Sequence, residues 1–191
     1  MGKIKIFDTT LRDGAQTSGV CFETHEKVEI AEALAKMKVD IIEAGFPVAS
    51  KSDYHAVEKI SQTISTSIVS ALVRANQKDI DIAKQALGKN ENVRIHTFLA
   101  TSDIQLAHKL NMSRAQVMAH AQEAVRYAKQ FIDDVEFTAE DASRSDWDFL
   151  CQVFNGVIAA GATTINIADT VGYATPDEFG HLVKYVKEHV H

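Results

Sequence analysis

Short runs rich in β-branched residues alternate along the chain with longer stretches whose apolar positions recur every three to four residues. The short runs fall at 4–8 (IKIFD), 39–44 (VDIIEA), 68–73 (IVSALV), 93–98 (VRIHTF), 133–138 (DDVEFT) and 163–168 (TTINIA). A stretch of helical period follows each one, at roughly 24–37, 51–62, 77–87, 113–130, 145–160 and 176–189. Start signals sharpen several of these helices. Ser113-x-x-Gln116 and Thr175-Pro176-x-Glu178 have the form of reciprocal N-terminal caps, the second with proline at the first helical position. Gly88 and Gly161 stand where helices should stop.

Six strand–helix units in a row, with no hairpin signal between them, predict a parallel sheet and an α/β fold. The strands begin about 32 residues apart, close to the repeat of a (β/α)8 barrel. Six such units fall two short of that barrel. A six-stranded doubly wound sheet would show the same periodicity. The chain has 191 residues and no linker, low-complexity run or internal sequence repeat, so residues 1–191 read as a single domain.

Composition narrows the partners. A net charge of −6 disfavours nucleic acid and anionic membrane surfaces. No stretch approaches the length of a membrane span, and the start Met1-Gly2-Lys3-Ile4-Lys5-Ile6 fits neither a signal peptide nor a myristoylation site. Cys21 and Cys151 lie far apart, without metal-type spacing, and read as reduced thiols. The expectation is a soluble, cytoplasmic protein. Charged helix faces, such as Glu23 to Glu32, read as solvated surface.

In parallel α/β folds ligands bind beyond the carboxyl ends of the strands, and polar residues gather there. Asp8-Thr9-Thr10-Leu11-Arg12-Asp13-Gly14-Ala15-Gln16 follows the first strand. Glu43, then Gly45-Phe46-Pro47, end the second; His96 and Thr97 lie on the fourth. Glu136 and Thr138 lie on the fifth, with Glu140-Asp141 beyond, and Asn166 and Asp169-Thr170 end the sixth. Carboxylates crowded beside a histidine and an arginine suit a divalent metal and a small carboxylate substrate. Each residue has a plainer reading: Arg12–Asp13 as a loop ion pair, His96 as a core histidine, Asp169-Thr170 as a turn. Glu43 sits in an apolar run, and a buried carboxylate requires a cation or hydrogen-bond donors.

Asp8-Thr9-Thr10-Leu11-Arg12-Asp13-Gly14-x-Gln16 resembles the opening signature of the aldol-type acyltransferases and lyases built on a metal-dependent TIM barrel. Ile42-Glu43-Ala44-Gly45-Phe46-Pro47-x-Ala49-Ser50, Arg94-Ile95-His96-x-Phe98-x-Ala100-Thr101-Ser102-Asp103, Glu140-Asp141-Ala142-x-Arg144 and Asn166-Ile167-x-Asp169-Thr170-Val171-Gly172-Tyr173 continue it in order. The set most resembles the 2-isopropylmalate synthase branch of the homocitrate synthase family.

The resemblance implies condensation of acetyl-CoA with 2-oxoisovalerate and water, giving 2-isopropylmalate and CoA in leucine biosynthesis. It implies a divalent metal (Mg, Mn or Zn) with Asp13 as a ligand. Arg12, Glu43 and Thr170 take catalytic roles, and Arg12, His96, Thr138, Glu140 and Thr170 bind substrate. A homodimer is implied for the full-length protein. Rival readings are a homocitrate or citramalate synthase, a non-catalytic truncated gene product, and a generic nucleotide-binding sheet. The last is disfavoured because no glycine-rich loop follows the first strand.

The chain departs from that pattern at Ala15, where a Glu is usual, and at Ala168, where a Pro is usual. The family's other metal ligands form a His-x-His motif on a seventh strand. His189-Val190-His191 is not that motif, because it ends a helical stretch in which positions i and i+2 point about 200° apart. The chain is therefore expected to be about six units of a TIM-type barrel, inactive or nearly so alone.

Overall fold

The computed structural model describes residues 3–191; Met1 and Gly2, on which the N-terminal processing expectation partly rests, lie outside them. The strands are β1 (Phe7–Asp8), β2 (Ile41–Gly45), β3 (Ile68–Arg74), β4 (Val93–Ala100), β5 (Val135–Glu140) and β6 (Thr164–Ile167). The helices are α1 (Thr24–Lys36), α2 (Lys51–Thr63), α3 (Gln77–Leu87), the single turn α4 (Asp103–Gln105), α5 (Arg114–Lys129), α6 (Trp147–Ala159) and α7 (Pro176–His189). Every element expected from the periodicity is present, with ends displaced by a few residues. The short α4 and a π-helical segment at Leu106–Leu110 were not expected.

The helix ends have local chemical causes. Ser113 and Gln116, and Thr175 and Glu178, cap α5 and α7 reciprocally, and Ser50, Asn76 and Asp146 each accept a backbone N–H at the start of α2, α3 and α6. Gly88 ends α3 with φ +65°, a conformation a side chain would strain.

The chain forms two compact units, 1–96 and 97–191, which divide within β4. In the first the strand order is β1-β2-β3-β4, and β1/β2 and β2/β3 pair in parallel. In the second the order is β4-β5-β6, and β5/β6 is parallel. Neither order reverses. A doubly wound sheet must reverse at its switch point, whereas barrel strands follow one another in sequence, so the order selects the barrel. Val69, Ala71 and Val73 of β3 are buried with Ala56, Val57 and Ile60 of α2 and Ile80 and Ala83 of α3. In the second unit Val135, Phe137 and Ala139 of β5 are buried with Val125 and Ala128 of α5 and Leu150, Phe154 and Val157 of α6. Side chains of opposite parity along the strands carry the polar groups.

One surface expectation is corrected. Lys27, on the α1 face read as solvated, is buried, and its Nζ lies 2.8 Å from Asp53 Oδ1 of α2. Tertiary packing of α1 on α2 covers a charged position within the run Glu23 to Glu32. No described helix is long and apolar enough to cross a membrane.

Candidate functional site

In the first unit the loop after β1 is shaped by its own residues. Asp8 accepts both the backbone N–H and the hydroxyl of Thr10, and the Thr9 carbonyl accepts the N–H groups of Arg12, Asp13 and Gly14. Leu11, 1% exposed, anchors the turn in the core. Arg12 and Asp13 are thereby set at the strand exit.

Glu43 occupies β2 and is fully buried. The pairing of β2 with β3 slips between Glu43 and Gly45, a bulge at the strand end. Arg12 Nε donates to Glu43 Oε2 at 2.5 Å, and His96 Nδ1 stands 2.5 Å from Oε1. Each carboxylate oxygen thus has a partner, as a buried carboxylate requires. Burial pushes the Glu43 carboxyl up, but the His96 hydrogen bond and charge, together with Arg12, more than offset it and hold the carboxyl below its ordinary range. His96 is 3% exposed, and its ring meets Phe7 edge-on at 5.8 Å. His96 is thus a buried histidine joined to an acidic partner, as the plainer core reading has it.

Arg12 Nη1 also donates to Asp13 Oδ1 at 2.8 Å. The loop ion pair exists, but the same guanidinium reaches Glu43 as well. Beside it a pocket of about 260 Å3 is lined by Arg12, Gln16, Phe22, Lys27, Phe46 and Ser52, among others.

In the second unit Glu136, Thr138 and Glu140 share one face of β5. Thr138 lies opposite Asn166 in register, and Asn166 Nδ2 donates to Glu136 Oε1 at 2.9 Å. Glu140 takes two bonds from Lys109 Nζ, at 2.6 and 2.9 Å. Lys109 comes from the π-helical segment, 31 residues back, and no local sequence signal marks it. Thr170 Oγ1 accepts the backbone N–H of Asp141 at 2.9 Å. The Asp141 carboxylate is held by Arg144 and Ser102. The i, i+3 spacing of Asp141 and Arg144 was a readable signal for that pair. Ser143 Oγ donates to Asp169 Oδ1, and the same carboxylate accepts the N–H groups of Tyr173 and Ala174.

The structure therefore joins Arg12, Asp13, Glu43 and His96 in one unit, and sets Thr138, Glu140 and Thr170 on adjacent elements of the other. For a divalent cation the fit is incomplete. Asp13 offers one carboxylate, 68% exposed and already paired with Arg12. Among the described residues no group of three His, Cys, Asp or Glu side chains could hold a metal. One carboxylate does not fix a hard cation, which takes six or more oxygens. His189-Val190-His191 offers no substitute: His189 closes α7, its Nδ1 lies 2.8 Å from the Tyr185 carbonyl, and its ring stacks on Tyr185.

A family model described as HMGL-like matches residues 3–191. The chain belongs to the HMGL-like family. It is 54% identical over 188 residues to a 2-isopropylmalate synthase of Pyrococcus furiosus, covering 98% of the chain and 38% of that protein. It is 55% identical over 190 residues to one of Dictyoglomus turgidum, covering all of the chain and 38% of that protein. The chain thus spans a little over a third of the length of these curated relatives. Among solved structures, hydroxymethylglutaryl-CoA lyase from Pseudomonas aeruginosa superposes with a TM-score of 0.79 at 19% identity, over 97% of the chain and 63% of the lyase. The lyase from Brucella melitensis gives 0.78 at 18% identity, over the whole chain and 69% of the lyase. These likenesses establish the fold as part of a TIM-type barrel, as the unreversed strand order indicates.

Proposed function

We propose that this chain is the strand-one to strand-six part of a 2-isopropylmalate synthase, an acyltransferase that joins the acetyl group of acetyl-CoA to 2-oxoisovalerate. The observation that carries the reading is Arg12, a fixed cation at the first strand exit, held by the buried Glu43–His96 pair. Identity of 54–55% to proteins named 2-isopropylmalate synthase supports the substrate choice.

The chemistry must stabilise negative charge as a thioester carbon becomes a nucleophile and a ketone becomes an alkoxide. Arg12 supplies preorganised positive charge to the developing oxygen anion or to the carboxylate of the oxo acid. Glu43 is a positioning residue: it anchors the guanidinium and keeps it from rotating into solvent. Thr170, whose oxygen is occupied by the Asp141 N–H, has its hydroxyl proton to give to the oxo acid. His96, Thr138 and Glu140 orient the substrate, and the pocket beside Arg12 offers room for the thioester arm. A divalent cation (Mg, Mn or Zn) is the implied cofactor. Asp13 would contribute one ligand, and the described residues do not complete the site. A cytoplasmic location and a homodimer go with this reading.

The test is release of free thiol from acetyl-CoA by the full-length gene product, with 2-oxoisovalerate, 2-oxoglutarate and pyruvate compared. Activity is expected to be highest with 2-oxoisovalerate, and Arg12→Ala should lower kcat by about 100-fold or more. Preference for 2-oxoglutarate or pyruvate would move the protein to the homocitrate or citramalate branch. Unchanged turnover in Arg12→Ala would overturn the mechanism.

A further inference from the structure

We propose that Asp141 is a positioning residue that fixes the direction of the Thr170 hydroxyl, an inference that rests on reading Thr170 as a donor to the oxo acid. Asp141 is completely buried and adopts a left-handed conformation, φ 64° and ψ 33°, immediately after β5. Aspartate tolerates that region better than most residues, but holding it there at a strand end still costs free energy. The surroundings supply the restraint. Arg144 Nε and Nη2 each donate to the carboxylate at 2.7 Å as a two-pronged fork, and Ser102 Oγ donates to Oδ2 at 2.5 Å. Ser102 belongs to the segment after β4 and Arg144 to the 3-10 turn after β5.

What the twisted backbone achieves is the aim of one N–H. The Asp141 amide donates to Thr170 Oγ1, in the segment after β6, at 2.9 Å. A threonine oxygen that accepts from a fixed amide loses its freedom to rotate, and its own proton is left to point elsewhere. A second link holds the same two segments together: Ser143 Oγ donates to Asp169 Oδ1, and Ser143 N to the Ala168 carbonyl. The carboxylate of Asp141 therefore acts at a distance, through its own backbone, on a hydroxyl it does not touch.

The test reads the Thr170 side chain directly in the full chain, with threonine methyls labelled with carbon-13. Three-bond couplings in the wild type are expected to report one χ1 rotamer. In Arg144→Gln, which opens the fork, and in Asp141→Ala, the couplings should average over rotamers, and Asp141→Asn should restore part of the wild-type value. A single unchanged rotamer in folded Arg144→Gln overturns the proposal, and that variant, at a partly exposed position, decides alone should Asp141→Ala not fold. Kinetics of the full-length gene product give the second readout. Asp141→Ala should raise the KM for the oxo acid about tenfold and leave that for acetyl-CoA within about twofold. Adding Thr170→Val to it should do no more than Thr170→Val alone, whereas additive losses overturn the coupling. If rotamer averaging is seen but Thr170→Val leaves the oxo-acid KM unchanged, the coupling stands and the role assigned to Thr170 falls.

Discussion

Glu43 shows how one residue can govern a site that it need not touch. Its carboxylate is taken from water at a cost that only paired donors offset, and Arg12 and His96 are those donors. The sign of its contribution to stability follows from the lowered carboxyl pKa. Above the unfolded value, near 4.5, the contribution is complete; as pH falls toward and through the folded value it is lost. Chemical denaturation of the wild type between about pH 3 and 6 should show stability rising with pH, with Glu43 supplying at most about 1.4 kcal/mol per pH unit of that slope. Glu43→Gln should remove that share of the slope. A slope unchanged by the substitution would mean that the carboxyl is no more acidic in the fold than out of it. The need for a partner at Glu43 was legible in the sequence, because an acid inside the apolar run Ile41-Ile42-x-Ala44 leaves water with its strand and must then find donors. Which partners it takes was not legible, since His96 lies 53 positions away.

At the scale of elements, α1 and α2 are joined by a charge pair whose lysine is buried and whose aspartate is partly exposed. The Lys27 side chain is 8% exposed, and Asp53 also accepts from Ser50 Oγ at the start of α2. Removing one partner strands the other charge away from water. Asp53→Ala should lower unfolding free energy by about 3 kcal/mol in urea titrations, and Lys27→Met with Asp53→Ala should recover most of it. If the double variant is as unstable as the single one, the loss lies in packing or in the cap of α2, not in the stranded ammonium. Helix positions and caps were readable because they depend on residues three or four apart. The π-helical segment at Leu106–Leu110 was not, and it carries Lys109 to Glu140.

For the molecule as a whole, the described residues hold no group of three candidate metal ligands. The thermal midpoint of the 191-residue chain should move by less than about 1 °C on addition of EDTA, or of Mg or Mn in place of it. A stabilisation of several degrees that disappears in Asp13→Ala would show instead that these residues alone hold the ion. The unreversed strand order also settles what the periodicity left open. Six evenly spaced units allow either a doubly wound sheet or part of a barrel, and the distinction lies in which strands become neighbours.

The amino-acid sequence by itself determined the order of strands and helices, their caps and the polar residues at the strand ends. Those depend on near neighbours and on side-chain period, which are written locally. The ordered motifs from Asp8 to Tyr173 also marked the family to which the chain belongs. Only the tertiary structure decided that Arg12 and His96 meet on Glu43, that Lys27 is buried against Asp53, and that a left-handed Asp141 aims its amide at Thr170. Each of those contacts joins residues 26 to 53 positions apart. Such pairs exist only once the parallel strands and their helices have packed, because chain connectivity alone places no constraint on which distant side chains share a buried volume.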